Sequence, residues 1–174
     1  MSASLIIFSS TDGHTKTICD RIKSYFKNED SVKIISLEDS SKYDLSNFDK
    51  IIIGASIRYG RHKKKVLEFV KKNKNILDLK KTAFFSVNVV ARKIEKSTPD
   101  TNPYVVKFLN KTNWRPNKVD VFAGKVDYPN YNFINKNIIR FIMKITNGPT
   151  DTNNSYEFTD WQRVKKFATE LESL

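Results

Sequence analysis

Short apolar runs alternate with segments of helical period along almost the whole chain, and that rhythm leaves few folds open. Leu5-Ile-Ile-Phe8, Val32-Lys-Ile-Ile35, Lys50-Ile-Ile-Ile-Gly-Ala55, Thr82-Ala-Phe-Phe-Ser-Val87 and Val119-Asp-Val-Phe-Ala123 read as strands. The third is apolar throughout its middle, as a parallel strand covered on both faces must be. Ile18, Ile22, Tyr25 and Phe26 mark a helix from about His14 to Lys27, and Val66, Leu67, Phe69 and Val70 mark the next. Pro103 to Lys111 reads as a third helix, with Pro103 tolerated in its first turn. Thr159 to Leu174 reads as a closing helix, with Thr159 or Asp160 as its N-cap. Such alternation with right-handed crossovers predicts an α/β domain over residues 1–174, a doubly wound sheet of five parallel strands. The rhythm breaks once. Between the fifth strand and the last helix lie roughly 35 residues where such folds need only a few, so residues 124–152 are expected to form an insertion after or within the fifth strand.

Charge narrows the partners. Lys plus Arg is 31 against 19 Asp plus Glu, a net +12, and the pI is near 9.7. Such a field concentrates anions: nucleic acid, acidic lipid or a small polycarboxylate. A lysine-rich proteome or mere solubility is the blander alternative. The lysines of His62-Lys-Lys-Lys65 and Lys71-Lys72 belong to no recognition motif, so no nucleic acid is expected. Cys19, the one cysteine, cannot form an internal disulfide, which makes a cytoplasmic address the default. The first nine residues lack a basic segment and carry an apolar run of four, too short for a signal peptide or a span. The two histidines, His14 and His62, sit in no catalytic constellation. The sequence singles out no catalytic acid or base, and no metal site is expected.

In open parallel sheets, ligands sit beyond the carboxyl ends of the strands near the point where strand order reverses. The loop Ser10-Thr-Asp-Gly-His-Thr15 follows the first strand and opens the first helix. A helix N-terminus offers free N–H groups and a favourable dipole to a phosphate. Ser10, Thr11 and Thr15 add short-reach hydroxyls, and Gly13 lets the backbone turn. Asp12 is awkward beside a phosphate and is expected to point outward or cap the helix. The loop is neither a Walker loop nor a dinucleotide fingerprint. Taken alone, it fits an ordinary Ser/Thr-rich N-cap loop as well as an anion site.

The run Ile6-Ile-Phe-Ser-Ser-Thr-Asp-Gly-His-Thr15, with Ile22 beyond it, resembles the flavodoxin signature, Cys19 replacing the usual alanine. That resemblance implies a flavodoxin-like sheet of order 2-1-3-4-5 and bound FMN. The phosphate would lie on Ser10, Thr11, Asp12, Gly13, His14 and Thr15. The flavin ring would lie between Ser56, Ile57, Arg58 and Tyr59 on one loop and Ser86, Val87, Asn88 and Val89 on another, with Tyr59 stacking and Ser56 and Asn88 meeting its polar edge. A second resemblance covers nearly the whole chain. Gly54-Ala-Ser-Ile-Arg-Tyr-Gly60, Glu68-Phe-Val-Lys-Lys72, Phe85-Ser-Val-Asn-Val-Val-Ala-Arg-Lys93 and Thr98-Pro-Asp-Thr-Asn102 stand in order, followed by Trp114-Arg-Pro116, Tyr128-Pro-Asn-Tyr131, Thr150-Asp-Thr152 and Thr159-Asp-Trp161. Together they resemble the menaquinone-dependent protoporphyrinogen IX dehydrogenases of bacterial heme biosynthesis. Membership implies FMN-dependent oxidation of protoporphyrinogen IX to protoporphyrin IX, with electrons passed to a membrane quinone, menaquinone or ubiquinone. Arg92 and Lys93, together with Arg58, are the cations assigned to the substrate carboxylates. The alternatives are a flavodoxin-type electron carrier, against which +12 speaks, and an FMN quinone reductase without porphyrinogen activity.

Within the insertion, Phe133 to Ile145 carries a basic stripe of Lys136, Arg140 and Lys144 with Asn137. Ile134, Ile138, Ile139, Phe141, Ile142, Met143 and Ile145 fill the opposite arc, broken by Asn135. Such a helix suits a bilayer interface, with Lys136, Arg140, Phe141 and Lys144 in contact and Tyr128, Tyr131 and Phe133 at its start. A core-packed helix and a homo-oligomer interface remain open at this point. The membrane reading makes the protein peripheral, at the cytoplasmic face of the inner membrane.

Overall fold

The computed structural model describes residues 3–174. In chain order they form β1 (Ser4–Ser9), α1 (His14–Lys23), β2 (Val32–Ser36), β3 (Lys50–Arg58), β4 (Arg61–His62), α2 (Lys64–Leu79) and β5 (Lys81–Val87). There follow α3 (Pro103–Thr112), β6 (Lys118–Phe122), β7 (Lys125–Asp127), α4 (Phe133–Ile145), β8 (Ser155–Glu157) and α5 (Trp161–Glu172). The main sheet runs β2-β1-β3-β5-β6, all parallel. This is the expected 2-1-3-4-5 order, with the two-residue β4 added antiparallel to the end of β3.

Alternation along each strand sends side chains to opposite faces. Leu5, Ile7, Ile51, Ile53, Phe84 and Val121 pack with Val66 and Val70 of α2 and with Val105 and Phe108 of α3. Ile6, Ile52, Ala83, Phe85 and Phe122 pack with α1 and α5 through Ile18, Ile22, Val164, Phe167 and Leu171. Strand order reverses between β1 and β3, so their carboxyl ends diverge into a crevice.

Helix ends depart from expectation where side-chain chemistry is local. α1 stops at Lys23, four residues short of Lys27. Tyr25 and Phe26 donate to the carbonyls of Ile22 and Lys23, a tightened turn that swings Phe26 onto the core. The sequence has no Gly or Pro there to announce it. α5 begins at Trp161 because Asp160, of the two candidates, accepts from the Arg163 N–H at 3.0 Å. Asn102 caps α3, accepting from the N–H groups of Tyr104 and Val105.

The insertion has its own small core. β7 and β8 pair antiparallel, Val126 opposite Tyr156, and Val126, Tyr128 and Met143 are buried together. Neither three-residue strand is long enough to leave a periodic signal.

Gly54 sits opposite Phe85 in the β3–β5 register, and a Cβ there would lie 2.2 Å from Phe85 Cζ. Gly54→Ala is therefore expected to destabilise the fold by about 1–3 kcal/mol through overpacking. Urea unfolding measures this, and Phe85→Leu in the same chain is expected to restore part of the loss.

Candidate functional site

β1 delivers the chain to the crevice, and Gly13 turns it there with φ of 85°. Because that backbone is left-handed, Gly13 forms the N-cap of α1 without offering a side-chain cap. The first-turn N–H groups of α1 therefore face the loop without a side-chain acceptor. Ser10 Oγ accepts from Gly13 N at 2.9 Å and fixes the turn. Thr15 is buried, and its Oγ1 has no hydrogen-bond partner. A native fold rarely buries a hydroxyl with nothing to bind. Uncapped amides, a helix dipole and an orphaned hydroxyl converge, and an FMN phosphate fits that donor set.

Asp12 neither caps α1 nor points free. Its carboxylate is paired with Arg58 Nη1 at 2.7 Å and accepts from the Tyr131 hydroxyl at 3.4 Å. The negative charge beside the cradle is thus neutralised by the next loop. Lys63 Nζ donates to the Ser10 carbonyl at 2.8 Å and brings a further cation to the rim. Nothing in a run of lysines singled out Lys63. Among the expected phosphate residues, His14 has its side chain engaged elsewhere. Its Nε2 lies 2.7 Å from Thr159 Oγ1, whose own proton goes to the Ala123 carbonyl. His14 thus donates and ties α1 to the exit of the insertion.

The first ring loop is a hairpin. Arg58 pairs with Arg61 across β3 and β4, leaving Tyr59 and Gly60 as a two-residue turn with φ of 49° and 75°. Both positive values mark a type I′ turn, where a tyrosine is strained. The Tyr59 ring is half-exposed, and its hydroxyl donates to the Asn135 side chain of α4. Arg58 lies between the rings of Tyr59 and Tyr131, 5.2 and 5.1 Å from their centroids. Ser56 Oγ donates to the Ser9 carbonyl at 3.4 Å, joining this loop to β1, and Ile57 is partly buried beside it.

The second loop is braced from below. Asn88 is buried and accepts from Ala91 N at 3.1 Å and Asn102 Nδ2 at 3.2 Å, while its own Nδ2 donates to Ser86 Oγ at 3.1 Å. Its N–H is also taken, by the Phe122 carbonyl. Asn88 therefore shapes the loop, and its side chain is spent before any ligand arrives. Ser86 and Val87 are likewise buried, and Val89 is partly so, packed against the core of the insertion. Ser86 Oγ lies 3.0 Å from His62 Nε2, and the His62 ring is wedged against Phe84 and Phe108. Burial holds the His62 pKa down at about 4, so the imidazole is neutral near pH 7. His62 carried no sequence signal because its partners lie on β5 and α3.

Arg92 is committed elsewhere. It donates to the Val89 carbonyl at 3.0 Å and to the carbonyl and hydroxyl of Thr146 at 2.7 and 3.0 Å. It thereby caps the C-terminus of α4 and fastens the insertion to the second ring loop. Lys93 is partly exposed and its ammonium meets no carboxylate among the described residues.

α4 divides the apolar arc that sequence treats as one. Ile139, Ile142 and Met143 turn inward, joined by Asn135, which faces Tyr59. Ile134, Ile138, Phe141 and Ile145 remain 68, 39, 63 and 63% exposed. Their spacing of four, three and four places them in one stripe. Lys144 and Arg140 lie to one side of it and Lys136 further round towards the inward face, and none has an ion-pair partner among the described residues. The aromatic approach is corrected in part. Tyr128 is fully buried and Tyr131 packs against it, because they form the insertion's own core, while Phe133 stays 81% exposed.

A flavodoxin-domain family model matches residues 5–153. A protoporphyrinogen IX dehydrogenase [quinone] of Escherichia coli K12 is 41% identical over 174 residues, covering 98% of this chain and 94% of that protein. The chain belongs to this flavodoxin-like family. A protoporphyrinogen IX dehydrogenase [quinone] of Leishmania major is 43% identical over 98% of this chain and 74% of its own length. Among solved structures, oxidised flavodoxin 1 of Bacillus cereus aligns with a TM-score of 0.55 at 19% identity, covering 99% of this chain and 98% of that one. That likeness establishes the flavodoxin fold.

Two outcomes follow from the site. Thr15→Val removes the orphaned hydroxyl, so it is expected to leave apoprotein stability unchanged or raised while weakening FMN binding about tenfold, read by flavin fluorescence titration. For His62, the folded pKa lies below the unfolded value, so the stabilisation is whole above about pH 6.5 and is lost as pH falls towards 4. Between about pH 7 and pH 4.5 the wild type is expected to lose about 2 kcal/mol more unfolding free energy than His62→Gln.

Proposed function

We propose that the protein oxidises protoporphyrinogen IX to protoporphyrin IX with FMN as its cofactor and passes the electrons to a membrane quinone. The observation that carries this reading is the buried, partnerless Thr15 hydroxyl in the uncapped α1 cradle, joined to the 41% identity with a protoporphyrinogen IX dehydrogenase [quinone] of near-equal length. When bound, FMN supplies two-electron redox chemistry, so three turnovers remove the six electrons and six protons that separate porphyrinogen from porphyrin, reducing three quinones to quinols. The chain's own part is to bind, orient and tune. The α1 N-terminus and Thr15 take the phosphate, Arg58 neutralises Asp12 beside it, and the His62–Ser86–Asn88 network fixes the second loop.

The α4 stripe supports a peripheral attachment to the cytoplasmic face of an anionic bilayer. No described helix is long and apolar enough to cross a membrane, whereas an interfacial helix inserts one apolar face and sets cations among headgroups. Ile134, Ile138, Phe141 and Ile145 supply the face, and Lys136, Arg140 and Lys144 the cations. Because Asn135 of the same helix holds Tyr59, docking through α4 sets the flavin loops beside the lipid that carries the quinone.

In an anaerobic cuvette, protoporphyrinogen is expected to bleach the yellow holoprotein, and a menaquinone analogue to restore the colour. Absence of bleaching contradicts the proposed function. Ile138→Glu with Phe141→Glu is expected to abolish co-sedimentation with anionic vesicles and to leave bleaching by soluble substrate intact. A chain that elutes as a dimer disrupted by the same changes would assign the stripe to a second copy.

A further inference from the structure

A cavity of about 740 Å³ opens between the β3–β4 turn, the start of α2 and one face of α3. It is sized for a small organic molecule. Its floor is Phe108, buried and stacked on Phe84 at 4.5 Å between centroids. Tyr59 and Tyr104 stand at its sides, and Arg61, Lys107 and Lys111 line its rim. Seven of its fourteen lining residues are Lys or Arg, and none is Asp or Glu. Among the described residues Arg61, Lys107 and Lys111 have no ion-pair partner. A basic stripe that merely solvates a helix is ordinarily interspersed with acids, as Lys64 and Glu68 are on α2.

The cavity is continuous with the flavin loops, because Thr11 and Tyr59 line both. An aromatic floor with an unneutralised cationic rim selects a flat, apolar body bearing carboxylates along one edge. Tyr104, Lys107, Phe108 and Lys111 share one face of α3 by their spacing of three, one and three. Lys107 and Lys111 are offset by one turn, about 6 Å along the axis, which suits two carboxylates on neighbouring rings. Resting on the function proposed above, we infer that this cavity seats the tetrapyrrole, with Lys107 and Lys111 holding its two propionates and Arg61 closing the opposite rim. Arg92 has no part in this, its guanidinium being held by α4.

The test uses the FMN-loaded protein and two unreactive probes, protoporphyrin IX and its dimethyl ester, titrated by fluorescence. The expected result is tighter binding of the diacid by wild type. In Lys107→Gln with Lys111→Gln, diacid affinity falls at least tenfold to the level of the ester, KM for protoporphyrinogen rises about as much, and FMN uptake is unchanged. Both lysines are exposed and glutamine keeps the helix, so folding is preserved. Unchanged diacid binding in that variant, with wild type still oxidising protoporphyrinogen, overturns the cavity assignment and leaves the proposed function standing. Loss of diacid binding on Arg92→Gln with Lys93→Gln instead also overturns it. A wild type that neither binds the diacid nor oxidises the porphyrinogen removes both.

Discussion

The site depends on how the chain leaves β1. At that point a glycine in left-handed backbone aims the first turn of α1 at the crevice with its amides uncapped, and Thr15 buries a hydroxyl beside them. Unsatisfied donors at a helix terminus cost free energy unless something accepts from them. A bound anion would meet that cost and also answer the dipole. A site of this kind is built mostly from main chain, so it needs no lysine inside the loop and tolerates an acidic neighbour provided that neighbour is paired. Arg58 does the pairing.

Arg58 also explains why an insertion far along the chain matters at the first loop. Its guanidinium lies between Tyr59, on a strained hairpin turn, and Tyr131, from the insertion. Asn135 reaches the Tyr59 hydroxyl, and Arg92 fastens the far end of α4 to the second ring loop. Both ring loops are therefore attached to α4, at its beginning and at its end. On the proposed function, lipid contact at α4 would reach the flavin loops through these few polar contacts.

Much of the fold could be read from the chain because the strongest signals are periodic. Ile51, Ile52 and Ile53 announce a strand covered on both faces, and the core confirms it. The loop after β1 was legible as a candidate anion site from its position and composition, and the flavodoxin resemblance, rather than either of these, assigned it to a phosphate. The rest is tertiary. His62 and Asn102 acquire their roles from partners on other elements, and Arg92 looks like a free cation until α4 arrives beside it. β4, β7 and β8 are two or three residues long and leave no period to detect. The two apolar faces of α4 cannot be separated from sequence, because which isoleucines turn inward depends on where Tyr128 and Tyr156 pack.

The central claim is that the phosphate, held by α1 amides and Thr15, anchors the cofactor. Titration of the apoprotein with FMN and with riboflavin, which lacks the phosphate, tests it most directly. Several charge-assisted hydrogen bonds are at stake, so FMN is expected to bind at least about a hundredfold more tightly than riboflavin. Equal affinity for the two would contradict the account.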